Sequence, residues 1–443
     1  MFKLGSLFRK KCGWHTCCFL GCCLSCFLSC FSIKAQTRGC ATEHRLHLDE
    51  IRNPSRYARV KQFESLLNDP NVSNQRLAEL DSSQGPLITI PVVVHIIHND
   101  KSSRPDLKKS TNISDDQVFS QMRVLNEDFR RKFNTNGYND MAIGADVNIE
   151  FCLASTDPNG KPTTGINRVY NPKVLWELDD EMEFKALSDW PSDQYLNIWV
   201  LNLDVQRELG YATYPTGSDL SDLSSYYYDD MLDGIVMNYQ VFGTVGTATY
   251  PYNLGRTTTH EIGHWLGLRH IWGDAYCGND YVADTPLDEG PNQDNDCIDF
   301  SLCKNIRVAD LTNDYMDYSP DRCMNIFTLG QKQRMLTALM TSPRRKALFQ
   351  SQGCSGVHSN ELRMRVYPVP AINQVKFEFY GEQTGPVQLE WYSSMGIQLR
   401  DETVEFDYQQ VYVHDLSLMA PGVYIVKVSS GTLKKTVKVI VEH

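Results

Sequence analysis

Hydrophobic patterning divides the chain into segments of different style. "CCFLGCCLSCFLSCFSI" is an apolar run at 17–33, behind Lys3, Arg9, Lys10 and Lys11. A basic start, a short apolar stretch and then "KAQ" read as a secretory signal peptide over 1–36. The run is slightly short for a membrane span and lacks a stop-transfer flank. Residues 37–85, which include "HRLHLDEIRNPSRYARVKQFESLLND", are polar, charged and helix-prone. "PLITIPVVVHIIHND" at 86–100 is rich in β-branched residues and reads as a buried strand. At 114–133 the apolar positions Val118, Met122, Val124, Leu125 and Phe129 follow an Asp/Ser start and predict an amphipathic helix. Residues 146–155 and 195–203 read as further strands, so 86–352 is a mixed α+β domain. Beyond Cys354 the style changes again. Short alternating runs such as "VKFEFY", "VQLEWYSS", "VYVHDLSL" and "GVYIVKVSSG" predict a small all-β sandwich over 361–443, joined through 351–360.

Composition narrows the partners. The chain has 443 residues, 42% apolar and 22% charged, with a net charge of -11. That suits a soluble globular protein of two or three domains. Without a clustered basic surface, nucleic acid is excluded as a partner.

Three of the eleven histidines fall in one stretch, "TTTHEIGHWLGLRH", Thr257 to His270. On a helix His260 and His264 share a face. Gly267 permits a sharp turn that returns His270 as a third ligand. Three neutral imidazoles around zinc leave an open position for water, whose pKa zinc lowers to roughly 7. Glu261 stands close to the same face as general base and acid. Five such specified positions arise by chance on the order of 10⁻⁵ times in a chain of ordinary composition, so zinc binding outweighs an accidental cluster.

The spacing H-E-x-x-H-x-x-G-x-x-H resembles the metzincin metalloproteases. That resemblance predicts a methionine turn beneath the zinc. "NDYMDYSPDRCMNIF" supplies Met316 as the hydrophobic floor and Tyr318 as the donor to an oxyanion. "GRTTTHEIGHWLGLRHIWGD", "VADTP" and "DYMDYSPDRCMN" together resemble the pappalysin family, particularly its short bacterial members. The resemblance covers roughly 86–350. It implies a metzincin-type catalytic domain with a mixed sheet, an active-site helix and a Met-turn. It also implies a zinc endopeptidase whose protein or peptide substrates run extended along an upper edge strand. Further implications are two crossed disulfides, Cys277–Cys303 and Cys297–Cys323, and calcium in the loop between them, with Asp280, Asp284 and Thr285 as candidate ligands. Each bridge is worth about 3 kcal/mol through loop closure. Asp317 and Asp321 are candidates for favouring a basic residue after the scissile bond, as in some relatives.

Seven cysteines follow the apolar run, an odd number for an exported chain. Cys40, in "TRGCATEH", is a candidate fourth zinc ligand that keeps the enzyme latent until 37–85 is removed. Family prosegments resemble this arrangement. Cys152 and Cys354 are left open between free, buried and paired. "VYPVPAINQVKFEF" and "VHDLSLMAPGVYIVKVSSG" resemble the C-terminal sorting domain of the type IX secretion route. That resemblance implies the outer-membrane secretion machinery as a partner. The expected protein is a secreted or cell-surface monomer made as a latent zinc endopeptidase. The alternative is a surface adhesin built on an inert zinc-protease fold.

Overall fold

The computed structural model describes residues 39–82, 87–101, 110–204, 208–217, 231–293, 296–351, 353–354, 364–379, 386–404, 411–431 and 433–442. The predicted signal peptide lies outside the described residues. Among the described residues no helix is long and apolar enough to cross a membrane.

Three helices come first: α1 (Thr42–Arg52), α2 (Pro54–Leu67) and α3 (Pro70–Ser82). Their boundaries follow from local chemistry. Asn53 accepts a bond from the Arg56 amide at 3.3 Å, and Pro54 takes the first helical position, where no amide is needed.

A six-stranded sheet follows, built from β1 (Ile88–His98), β2 (Ile149–Leu153), β3 (Ile166–Tyr170), β4 (Leu196–Leu201), β5 (Gly210–Ala212) and β6 (Ile235–Asn238). The order is β2-β1-β4-β6-β5, with β3 pairing the other half of β1's edge. All pairings are parallel except β5 with β6. The continuous apolar run of β1 is the mark of a strand covered on both faces, and only Thr89 of that strand is exposed.

The amphipathic helix α4 spans Asp115–Asp128 and stops five residues short of the predicted end. Ser114 caps its start through the Gln117 amide. Beyond Phe129 the chain turns through Arg131 and Asn134, both at positive φ, and the Phe129 carbonyl accepts from the Val147 amide instead of continuing the helix. Phe129 kept the apolar period alive while packing against Phe151 of β2.

Helix α6 (Arg256–Trp265), which carries the first two histidines, follows a short α5 (Glu181–Lys185) and is buried along its whole length. Its start is tied to α4: Arg256 pairs with Asp128 at 3.2 Å, and the Thr259 hydroxyl donates to the same carboxylate at 2.7 Å. Between α6 and the methionine turn lies a hairpin, β7 (Phe300–Cys303) and β8 (Ile306–Ala309). Lys304 and Asn305 both sit at positive φ there, as a two-residue primed turn requires. Helices α7 (Leu329–Thr341) and α8 (Pro343–Ala347) close the domain.

The structure pairs Cys277 with Cys303, Cys297 with Cys323, and Cys152 with Cys354. The third pair links β2 to the end of the domain across 202 residues. The C-terminal strands form two antiparallel sheets. One comprises β9 (Met364–Tyr367), β10 (Gln374–Phe379) and β13 (Val411–Asp415). The other comprises β11 (Val387–Ser393), β12 (Gln398–Val404), β14 (Gly422–Ser430) and β15 (Leu433–Val441). Phe377, Trp391, Val426 and Val439 fill the space between them. Sequence patterning missed β12, "QLRDETV", because most of it is exposed and its alternation is hidden among charges.

The Cys152–Cys354 bridge closes a very long loop, so replacing both cysteines by serine is expected to cost about 2–5 kcal/mol of stability. Thermal unfolding of the double variant is expected several degrees below the parent. An unchanged midpoint would show that the bridge contributes nothing.

Candidate metal centre

The centre begins at the N-terminus of α6. The Asp321 carboxylate accepts from the Leu254 amide at 2.8 Å and the Arg256 amide at 3.2 Å, which fixes the helix start against the segment after the methionine turn. The helix ends at Trp265. Gly267 adopts φ +90°, its amide returns to the His264 carbonyl at 2.8 Å, and the Leu268 amide reaches the Gly263 carbonyl at 2.9 Å. A Cβ at Gly267 would stand 3.0 Å from Leu67 and 3.1 Å from Ala338. The reversal brings His270 back beside the helix.

The Nε2 atoms of His260 and His270 each lie 3.1 Å from Nε2 of His264. Each imidazole is held from behind. Nδ1 of His260 faces the Tyr315 carbonyl at 2.7 Å, Nδ1 of His264 the Leu268 carbonyl at 2.9 Å, and Nδ1 of His270 the Asp274 carboxylate. Proton donation through Nδ1 leaves a lone pair on every Nε2. Three lone pairs aimed at one point repel unless a cation lies between them, so the donor set fits a divalent metal. Burial holds His264 well below its ordinary value, hence neutral. Among the described residues, the one group of ligand atoms able to hold a metal is Cys40, His260, His264 and His270, all within 4.8 Å of one another.

Met316 is fully buried beneath this point. A side-chain carbon at Gly263 would stand 2.4 Å from its sulfur, so a glycine in the middle of α6 is what lets the methionine approach. Asp314 holds the turn by accepting from the Met316 amide at 2.7 Å and from Gln331 at 2.9 Å. Tyr318 packs edge-on to His270, and Trp272 stacks flat on the same imidazole at 4.4 Å. Burial pushes the Tyr318 hydroxyl well above its ordinary value and keeps it a proton donor.

The N-terminal segment enters the centre. Gly39 accepts from the Leu209 amide at 2.8 Å, and the Ala41 amide donates to the Gly210 carbonyl at 3.0 Å, so 39–41 lies against β5. Cys40 Sγ stands 3.4 Å from Glu261 Oε2, and the Thr42 hydroxyl donates to that oxygen at 3.0 Å. The Cys40 amide donates to the Tyr318 hydroxyl at 3.2 Å. Burial, then the Glu261 charge, pushes the Cys40 thiol up.

Asp280, Asp284 and Thr285 have other partners. Asp280 accepts from the Thr285 hydroxyl at 2.8 Å and the Val282 amide at 3.1 Å. Asp284 accepts from the Thr328 hydroxyl at 2.7 Å and the Gly330 amide at 2.8 Å, at the start of α7. All four carboxylate oxygens serve loop and cap bonds, and no calcium site is assigned to them. Asp317 is likewise buried, accepting from Asn292 and Ser319. Sequence reasoning missed Thr42, Gly263, Trp272 and Asp274. Asp274 carried a readable signal, a carboxylate four positions after the third histidine. The others owe their roles to contacts formed only by the fold.

Known proteins resemble this chain in sequence and fold. A peptidase profile described as "Pregnancy-associated plasma protein-A" matches residues 179–340, and a secretion-system C-terminal sorting domain matches 365–442. Extracellular metalloprotease 1 of Coccidioides posadasii is 31% identical over 59% of this chain and 83% of its own length. An extracellular metalloprotease of Sordaria macrospora is 35% identical, but the match spans 42% of this chain and 59% of that protein. Among solved structures, a mutant of Tannerella forsythia promirolysin is 36% identical, with a TM-score of 0.58 over 72% of this chain and 99% of its own. Mature mirolysin of that species, in complex with a cleaved peptide, is 38% identical, with a TM-score of 0.50 over 60% and 97%.

Asp274 orients His270 by accepting from its Nδ1. Asp274→Asn is expected to weaken metal retention about 10–100-fold in competition with a chelator. Retention equal to the parent would remove Asp274 from the centre.

Proposed function

We propose that this chain, which belongs to the pappalysin family of metalloproteases and carries a C-terminal sorting domain, is a zinc-dependent endopeptidase exported as a latent precursor. The convergence of three oriented Nε2 atoms beside one buried carboxylate carries the reading. His260, His264 and His270 would hold the zinc. Zinc would supply a Lewis acid that polarises a carbonyl and brings the pKa of water to roughly 7.

The remaining work falls to this chain's own side chains. Glu261 takes a proton from the attacking water and passes it to the leaving amine. The Tyr318 hydroxyl donates to the oxyanion as it develops. Strand β5 offers its free edge to an extended peptide, the position that 39–41 occupies here. Residues 1–36 would act as the signal peptide, 37–85 as the prosegment, 86–352 as the catalytic domain and 361–443 as the address for secretion.

Latency follows from what 37–85 covers. Cys40 completes the metal donor set, Thr42 engages the catalytic carboxylate, and Gly39 to Ala41 blocks the substrate edge. The match to the pro-form of mirolysin spans more of this chain than the match to the mature form, in keeping with such a segment. Two ion-pair clusters hold the prosegment down. Arg45 reaches Glu181 at 2.9 Å, and Arg334 reaches Glu64 at 2.5 Å. Burial alone would raise Glu181, but Arg45 and Lys185 outweigh it and hold the carboxyl at about 2. Glu64 is also raised by burial, and Arg334 and Arg269 bring it below its ordinary value. Both contributions are therefore complete above the ordinary carboxylate range and are lost only as pH falls through the lowered values.

Glu261→Ala is expected to retain zinc and lose at least about 10³-fold in casein or gelatin cleavage. Appreciable cleavage by that variant would overturn the assignment. Cys40→Ala is expected to shorten the activation lag, and an unchanged lag would count against the thiol as latch. Mild acid should leave the prosegment seated. In the Glu261→Ala precursor, hydrogen-exchange protection of 42–67 is expected to be equal at pH 5 and pH 7.5 once rates are corrected for intrinsic exchange. Loss of protection at pH 5 would contradict the ion-pair account.

A further inference from the structure

The prosegment places two carboxylates on two arginines of the catalytic domain. The Arg334 guanidinium donates to Glu64 at 2.5 Å and to Asn68 at 2.7 Å, while its Nε is anchored to the Gly267 carbonyl at 2.8 Å. Arg269 lies 3.5 Å from Glu64 and 3.6 Å from Glu43, with its guanidinium over the Tyr214 ring. Tyr214 donates its hydroxyl to Glu43 at 2.5 Å, and the same oxygen is 3.4 Å from Nδ1 of His264. Tyr214 therefore stands directly behind a metal ligand, with Arg269 on its ring and Arg334 joined to Arg269 through Glu64.

Removal of 37–85 takes Glu43, Glu64 and Asn68 away together. What remains to Arg269 is Asp274 at 3.9 Å, a carboxylate already engaged by His270. What remains to Arg334 is the Gly267 carbonyl and the face of Tyr281. Neither arginine is free to swing away: one is tied to backbone, the other rests on a tyrosine ring. Two fixed guanidinium groups beside a phenol offer a set of hydrogen-bond donors to a carboxylate.

We infer that the mature cleft carries a carboxylate-binding subsite, formed by Arg269, Arg334 and the Tyr214 hydroxyl, that selects substrates with an acidic side chain near the scissile bond. The inference rests on the proposed protease reading and on removal of the prosegment. Glu43 marks the reach. It follows Cys40, which stands at the metal, by three positions. The prosegment fills this subsite as it fills the metal position and the β5 edge.

The test uses the mature, zinc-replete enzyme and a set of quenched fluorescent peptides. The peptides differ only by Glu or Gln at each of three positions on either side of the cleaved bond. At one of those positions the Glu peptide is expected to exceed its Gln partner about tenfold in kcat/KM, and the ratio should shrink as salt is raised. Arg269→Gln is expected to bring the ratio to about one, and Arg269→Glu to turn the preference toward Lys at the same position. A ratio below about twofold at every position, in an enzyme that digests casein, would overturn the subsite and leave the protease reading standing. Failure to digest casein at all would overturn both. The parent ratio decides the matter even where a variant does not fold.

Discussion

Everything else in this molecule is arranged around the repulsion between three imidazole lone pairs. The Nε2 atoms of His260 and His270 each stand within hydrogen-bond range of His264 Nε2, with all three Nδ1 sides occupied. Only a cation makes that arrangement favourable. Helix α6 supplies two of the three rings, and the reversal at Gly267 supplies the third. Asp128, Asp314 and Asp321 are buried carboxylates that fix the helix, the turn beneath it and the segment after it. They stand behind the site, and their orientation of the backbone gives the centre its rigidity.

The histidines and Glu261 were legible in the sequence because helical period and motif spacing specify them locally, whereas Met316 and Tyr318 were legible only through the resemblance to the metzincins. So were β1, β4 and most of the sandwich strands, whose alternation or continuity reports burial directly. Other features were not legible, for identifiable reasons. Gly263 reads as an ordinary helix position until Met316 is packed on it. Thr42 carries no local signal, and its contact with Glu261 exists only once the chain is folded back. The Cys152–Cys354 bridge joins residues far apart along the chain, and no local pattern encodes it. The excess length predicted for α4 arose because Phe129 satisfies the helical period while serving the turn that follows. The acidic loop after α6 suggested calcium through its resemblance and its hard oxygens; there Asp280 and Asp284 accept from backbone amides and hydroxyls.

In the proposed reading, latency and recognition share one surface. The segment that brings Cys40 to the metal also lies on the β5 edge and seats Glu43 and Glu64 on Arg269 and Arg334. An inhibitor that occupies every feature of a cleft must mirror the chemistry of what the cleft will later hold. The buried Arg45–Glu181–Lys185 group ties α1 to α5.

X-ray absorption at the zinc edge, recorded on the precursor and on the mature enzyme, tests the central claim most directly. One zinc per chain is expected in both. The precursor should show three nitrogen neighbours and one sulfur at about 2.3 Å, and in the mature form oxygen should replace the sulfur. A precursor without stoichiometric zinc, or one whose zinc has no sulfur neighbour, would contradict the account.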